Sequence, residues 1–259
     1  MAYALITGAS RGIGLSIAIE LAKRNINLIL IARDEVALKE NARVLNEKYQ
    51  IVVDILAIDL TEQQSVETIL SWLSQKNYEV NMLINNAGYG LSGQMNKYSL
   101  SEHENMMHLN MNVPVRLVYA LLPMLSAQEK AYIMNVGSCA SYQAIPGLNI
   151  YAASKSFILS FSRGLSQELK KTAISVSVVS PGATDTAFPD RARVTSKKAI
   201  RLAKATNMSP EQVAKVAVEG MLRGETEIIT GALNKLGVLL TWLLPKKLVE
   251  KNIASIYCE

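Results

Sequence analysis

Tyr151 and Lys155 stand four residues apart, close enough to share one face of a helix, and Ser138 follows a β-rich run upstream of them. A phenol beside an ammonium can exchange a proton with a substrate oxygen. A free tyrosine has a pKa of about 10, so the phenolate must be favoured for this to work near neutral pH. Close to the start, Thr7-Gly8-Ala9-Ser10-Arg11-Gly12-Ile13-Gly14 places three glycines between a β-rich run and a helical pattern. Without side chains the backbone can turn tightly and approach a diphosphate, and the helix N-terminus offers free N–H groups. A nucleotide cradle with a proton donor on the same sheet is what hydride transfer to a carbonyl requires. Taken singly, each signal has a plain structural reading: a Tyr/Lys pair arises by chance in a chain of this composition, and a glycine turn can simply join strand to helix. Pro146-Gly147, which breaks the chain before Tyr151, adds weight to the set.

Positioning these residues falls to alternating elements. β-rich runs at 3–6, 27–32, 51–58, 82–85, 131–136, 175–179 and 227–229 alternate with helical patterns at 13–24, 35–49, 62–75, 104–127, 151–170 and 210–223. The alternation predicts an α/β fold, a doubly wound seven-stranded parallel sheet with helices on both faces (Rossmann-type). The 259 residues, 49% hydrophobic and 19% charged, suit one domain over 1–259. In such sheets ligands sit beyond the carboxyl ends of the strands, where the motifs fall.

The second run ends Ile31-Ala32-Arg33, without the acid that an NAD-binding strand usually carries near its end. Arg11 and Arg33 can grip a 2′-phosphate from two sides, which favours NADP(H) over NAD(H). Asp34 is the alternative, a ribose-binding acid if the strand ends one residue later.

In order along the chain come the Thr7–Gly14 turn, Asp59, Asn85-Asn86-Ala87-Gly88, Asn110, Ser138, Tyr151 with Lys155, and Pro181-Gly182 through Thr186. This set resembles the short-chain dehydrogenase/reductase family over nearly the whole chain. The resemblance implies a catalytic tetrad of Asn110, Ser138, Tyr151 and Lys155, with Tyr151 as general acid/base and Asn110 acting through a water on its backbone carbonyl. Lys155 and oxidised nicotinamide are expected to favour the phenolate. It also implies cofactor contacts from Gly8, Ser10, Arg11, Gly12, Ile13, Gly14, Arg33, Asp59, Leu60, Asn86, Ala87, Gly88, Pro181, Gly182, Thr184 and Thr186, besides Tyr151 and Lys155. Val113 and Pro114 stand where the family often has a glycine, which leaves the helix geometry around Asn110 open. Asp59 is equally suited to cap a helix near Glu62.

The implied function is an NADP-dependent oxidoreductase acting on a hydrophobic carbonyl or secondary alcohol. A carrier-linked 3-oxoacyl thioester reductase and a non-catalytic NADP sensor or scaffold are the alternatives. Residues 183–209 correspond to the variable substrate lid and hold Arg191, Arg193, Lys197, Lys198, Arg201 and Lys204. These are either a solvated helix face or a docking surface for a phosphate-bearing carrier. The tail 235–259 contains an apolar run at 236–244 with Trp242, then Pro245 and Lys246-Lys247. It reads as the roof of a pocket or a subunit interface ahead of a weak membrane contact, because a short basic pair attracts lipid poorly. The family resemblance implies a homodimer or homotetramer through the helices at 104–127 and 151–170.

Twenty-seven Lys and Arg against 22 Asp and Glu leave a charge of +5, mostly scattered, which argues against nucleic-acid binding. Cys139 and Cys258 give no disulfide framework and suggest a reducing compartment, the cytoplasm. Cys139 reads as a packing residue and not a reactive thiol. His103 and His108 lack metal-ligand spacing, so no metal is expected, and both read as surface or helix-face residues. Neither a leader peptide nor a run of about 20 apolar residues is recognised.

Overall fold

The computed structural model describes residues 2–257, so Cys258 lies outside the described residues. Seven strands form one sheet: β1 (Ala2–Thr7), β2 (Asn27–Ala32), β3 (Val53–Ala57), β4 (Glu79–Asn85), β5 (Ala131–Val136), β6 (Ile174–Ser180) and β7 (Glu227–Ile229). Their order is β3-β2-β1-β4-β5-β6-β7 and every pairing is parallel. The inner strands are nearly continuous apolar runs because helices cover both faces.

Successive side chains of a strand point to opposite faces, and the core divides accordingly. Ala4, Ile6, Leu28 and Leu30 pack with Ile17 and Leu21 of α1 (Gly12–Ala22), Leu38 of α2 (Glu35–Tyr49) and Val218 of α9 (Pro210–Leu222). On the other face Leu5, Ile29 and Ile31 meet Ile69 of α3 (Ser65–Gln75) and Leu117 and Leu121 of α5 (Val113–Ser126). Each fully buried Leu or Ile contributes about 1.5–3 kcal/mol. The order reverses between β1 and β4, which opens a crevice at their carboxyl ends.

The helix expected over 104–127 is two helices, α4 (Leu100–Met107) and α5, joined by a π-turn at His108–Asn112. Pro114 has no N–H, so the Asn110 carbonyl lacks the donor that an α-helix supplies four residues on. The ladder widens where that donor is missing. Helix α4 starts earlier than expected because Ser99 and Glu102 form a capping box. Helix α3 starts three residues late. Asp59 accepts from the Thr61 backbone and hydroxyl at 2.9 and 2.8 Å, so it caps the turn before the helix.

The chain between β6 and α9 is more helical than its sequence suggested: α7 (Phe188–Arg191) and α8 (Lys197–Thr206) form within residues 183–209. After β7 come α10 (Ala232–Leu243) and α11 (Lys246–Tyr257). Of the surface and helix-face readings of His103, the first is corrected: it lies on the buried face of α4, with Nε2 3.0 Å from the Met95 carbonyl and its ring edge-on to Tyr98. Among the described residues no helix is long and apolar enough to cross a membrane.

Candidate active site

The crevice becomes a cleft of about 1280 Å³, larger than the roughly 300–1,000 Å³ of an ordinary small-ligand pocket. Its floor begins with the glycine turn. Gly8 and Gly12 have φ of 66° and 58°, the left-handed region that favours glycine. Helix α1 then starts with neither a side-chain cap nor an acid in its first turn. Its free N–H groups and positive dipole end suit a diphosphate.

Asn86 holds this cradle in shape. Its amide nitrogen donates to the Thr7 and Gly8 carbonyls at 2.9 and 3.1 Å, while the Thr7 hydroxyl accepts from the Asn86 and Ala87 backbones, each at 3.0 Å. The Asn86 side chain is thus occupied in bracing the turn, a role the sequence did not disclose. Gly8, Ser10, Arg11, Gly12, Ile13, Gly14, Arg33, Asp59, Leu60, Asn86, Ala87, Gly88, Pro181, Gly182, Thr184 and Thr186 all line the cleft. A dinucleotide fits these residues: the α1 N-terminus is uncapped and without an acid, and Gly14, where added bulk would overlap the Gly8 carbonyl and the Asn86 amide, lets the turn close beneath it.

At one end, Arg11 pairs with Asp34 at 3.5 Å and Arg33 with Asp59 at 3.3 Å. Burial raises the Asp59 carboxyl, but Thr61's hydrogen bonds and Arg33 outweigh it and leave the group below its ordinary range. Strand β2 stops at Ala32, and Asp34 accepts from the Ala37 N–H at 3.1 Å as the cap of α2. The condition for Asp34 as the end-of-strand ribose acid is therefore not met. Arg191, which the sequence placed on the substrate side, comes to this end. Burial, then the charges of Arg11 and Arg33, hold it below its usual range.

At the other end Ser138, Tyr151 and Lys155 converge. Ser138 follows β5 and accepts from the Ala140 N–H at 3.1 Å, fixing its rotamer. Tyr151 and Lys155 lie on α6 (Asn149–Glu168), both buried. Burial pushes Tyr151 up to about 12, and a hydrogen bond with Ser138 opposes it. The Lys155 ammonium donates to the Val136 carbonyl at 2.8 Å and lies 6.0 Å from the Tyr151 ring centroid. Asn110 lines none of the cleft. It sits behind the wall, accepting from the Tyr89 N–H at 3.1 Å and donating to Tyr89 O and Ser154 Oγ at 2.9 and 3.0 Å. Side chains of both Asn110 and Lys155 border Gly88, so the two are neighbours across it.

Burial pushes Lys155 from 10.5 down to about 8. The unfolded chain therefore holds this proton across pH values at which the folded protein has lost it. Its contribution to stability is complete above about pH 10.5 and is lost as pH falls through about 8, a change of about 3 kcal/mol. Lys155→Met is expected to remove that rise. Urea midpoints of wild type and variant, measured across this window, are the check, and parallel curves would refute the assignment.

Phe188 and Gly90 went unrecognised in the sequence. The Phe188 ring of α7 lies 5.2 Å from that of Tyr151, and Gly90 leaves room for both. An aromatic amid a charged lid was the sole signal. Cys139 donates to the Ser180 carbonyl at 3.4 Å, and burial pushes its thiol up to about 12, as suits a packing residue. Among the described residues, no three His, Cys, Asp or Glu side chains gather as metal ligands.

The short chain dehydrogenase family model matches residues 2–197. The chain belongs to that family. An NADP-dependent 3-hydroxy acid dehydrogenase of Schizosaccharomyces pombe is 32% identical over 233 residues, 88% of this chain and 90% of the relative. A short-chain dehydrogenase from Sphingobium yanoikuyae, solved in complex with NADPH, is 31% identical with a TM-score of 0.82, over 93% of this chain and 91% of that one. The bulky-bulky ketone specific alcohol dehydrogenase from Comamonas testosteroni is 31% identical with a TM-score of 0.75, over 94% and 93% of the two chains. As a short-chain dehydrogenase the protein is an oxidoreductase that uses a nicotinamide cofactor.

For this short-chain dehydrogenase, Gly14→Ala is expected to cost about 1–3 kcal/mol, since the new methyl meets backbone that cannot swing aside. Dinucleotide binding should weaken with it. Thermal unfolding and a fluorescence titration check both, and unchanged binding would show that the turn is not the cradle.

Proposed function

We propose that this enzyme transfers hydride between NADP(H), preferred over NAD(H), and a carbonyl or secondary alcohol on a hydrophobic substrate. The reading is carried by Ser138, Tyr151 and Lys155 meeting at one end of a cleft whose other end gathers Arg11, Arg33 and Arg191. Asp34 and Asp59 offset Arg11 and Arg33, and a 2′-phosphate is an anion that answers the charge Arg191 adds beside them. The NADP-dependent relative and the NADPH-bound structure support the same preference.

With its diphosphate held at the α1 N-terminus, a reduced dinucleotide would supply the hydride from its nicotinamide. Ser138 and Tyr151 donate hydrogen bonds to the substrate carbonyl and polarise it. Tyr151 then gives its proton to the forming alkoxide, and in the reverse direction takes it back. Its position near 12 suits it to stay protonated until the alkoxide develops. Lys155 sits where its charge favours the phenolate left behind, and a cationic nicotinamide adds to that effect. Asn110 stands in the π-turn, where its backbone carbonyl would hold a water that returns the proton from solvent.

Ile145, Leu148, Phe188, Ile200, Ile253 and Tyr257 line the substrate side and favour an apolar group. The carrier-linked thioester reading needs free lid cations. Arg193, however, pairs with Glu102 at 3.3 Å and lies over Tyr98, while Lys198 reaches the Ser255 carbonyl at 3.5 Å. Exposed Tyr119 and Phe157 on α5 and α6 support a homodimer or homotetramer through those helices. The free Cys139 thiol supports a reducing, cytoplasmic setting. A panel of ketones and acyl thioesters assayed with NADPH and NADH tests the whole reading. Turnover of bulky apolar ketones with NADPH is expected, and preference for NADH or for carrier-linked thioesters would overturn it.

A further inference from the structure

The large apolar side chains that this protein exposes concentrate in residues 233–248. Helix α10 carries them: Leu233, Leu236, Leu239, Leu240, Trp242 and Leu243 face outward, and Val238 is the helix's one buried residue. Its own charge is a single Lys235. A helix apolar nearly all round is ordinarily covered, by core or by lipid. Here α10 covers little of the cleft. The cleft-lining part of the tail is the far end of α11, through Ile253, Ile256 and Tyr257, with Asn234 as the point where α10 touches the cleft.

The charge pattern selects the cover. Residues 228–249 contain no Asp or Glu, while the exposed Lys235, Lys246, Lys247 and, past Glu250, Lys251 lie within or next to the apolar run in sequence. A second copy pairing on this face about a two-fold axis would set these lysines against their own counterparts, with no acid in the segment to offset them. Anionic headgroups supply the opposite charge. At 12 residues α10 spans about 18 Å, too short to cross a bilayer and suited to lying along it, with Trp242 at the boundary.

We infer that α10, with the lysines that begin α11, docks the protein on an anionic lipid surface. The catalytic reading is not needed for this, since docking requires no turnover. The four lysines also provide more attraction than the isolated Lys246-Lys247 pair suggested by the sequence. Where the substrate is apolar, α11 links the docked surface to the cleft, from exposed Leu248 to Tyr257.

The test is co-sedimentation of the full chain with phosphatidylcholine vesicles and with equimolar phosphatidylcholine–phosphatidylglycerol vesicles. Wild type should partition at least about tenfold more strongly to the anionic vesicles, and Lys246→Glu/Lys247→Glu should lose about tenfold or more of that binding. In a Trp72→Phe background, emission from Trp242 should shift to the blue on binding. Leu236→Ser/Leu240→Ser/Leu243→Ser should abolish both signals, and the native side chains in the Trp242 measurement keep the test valid if this variant misfolds. An unshifted Trp242 with no anionic preference overturns the inference. So does concentration-dependent self-association, seen by sedimentation velocity, that the serine variant abolishes while wild type ignores vesicles, because a second copy would then be the cover.

Discussion

Tyr151→Phe is expected to lower kcat by about a hundred- to ten-thousandfold, the range for loss of a positioned general acid. The ring and its packing against Phe188 remain, so the thermal midpoint and NADPH affinity should stay near wild type. Only the hydroxyl goes. Tyr151 and Lys155 are themselves buried, and a phenyl ring offers no proton in the hydroxyl's place. Steady-state kinetics with the best ketone, beside a cofactor titration, are the measurement. A variant that keeps full rate would remove Tyr151 from the chemistry and leave the cleft as a binding site. Ser138→Ala should cost less, since the Tyr151 donor to the carbonyl persists.

The second large effect is on cofactor choice. Arg33→Glu should raise the KM for NADPH about a hundredfold and leave that for NADH within about threefold. A charge-assisted hydrogen bond contributes roughly 1.5–3 kcal/mol, and a carboxylate facing a phosphate adds repulsion. The lost pair with Asp59 is a surface ion pair of about 0–1 kcal/mol, so folding should be little affected. The effect on phosphate recognition therefore dominates. Equal impairment with both cofactors would show that Arg33 supports the turn and not the 2′-phosphate.

Much of the scaffold is legible in the residues themselves. Strands β2, β5 and β7 and helix α2 have the boundaries their patterns predict, because uninterrupted β-branched and aliphatic runs, or a clean amphipathic period, leave few alternatives. Helix α10 is legible only as an apolar tail because a segment with one charge presents no polar face, and so no period to detect. The break between α4 and α5 was hidden for another reason: Pro114 is acceptable in the first turn of a helix, and only the structure shows that a new helix starts there. At the site, residue types and order disclosed which side chains gather. What they then touch was not disclosed. The Arg11–Asp34 and Arg33–Asp59 pairs, the Lys155–Val136 bond and the arrival of Arg191 beside the other two arginines all depend on how loops from distant strands meet.

The wide turn at His108–Asn112 also constrains chain length. It spends one residue more per turn than the regular spiral on either side. Deleting one of these five residues would let the segment close the same turn as a regular spiral, with the stretches on either side still facing as they do now. Met106 and His103 would keep their packed positions, while the displaced backbone at Asn110 and its ties to Tyr89 would be lost. A chain one residue shorter here should thus keep its fold and lose its activity.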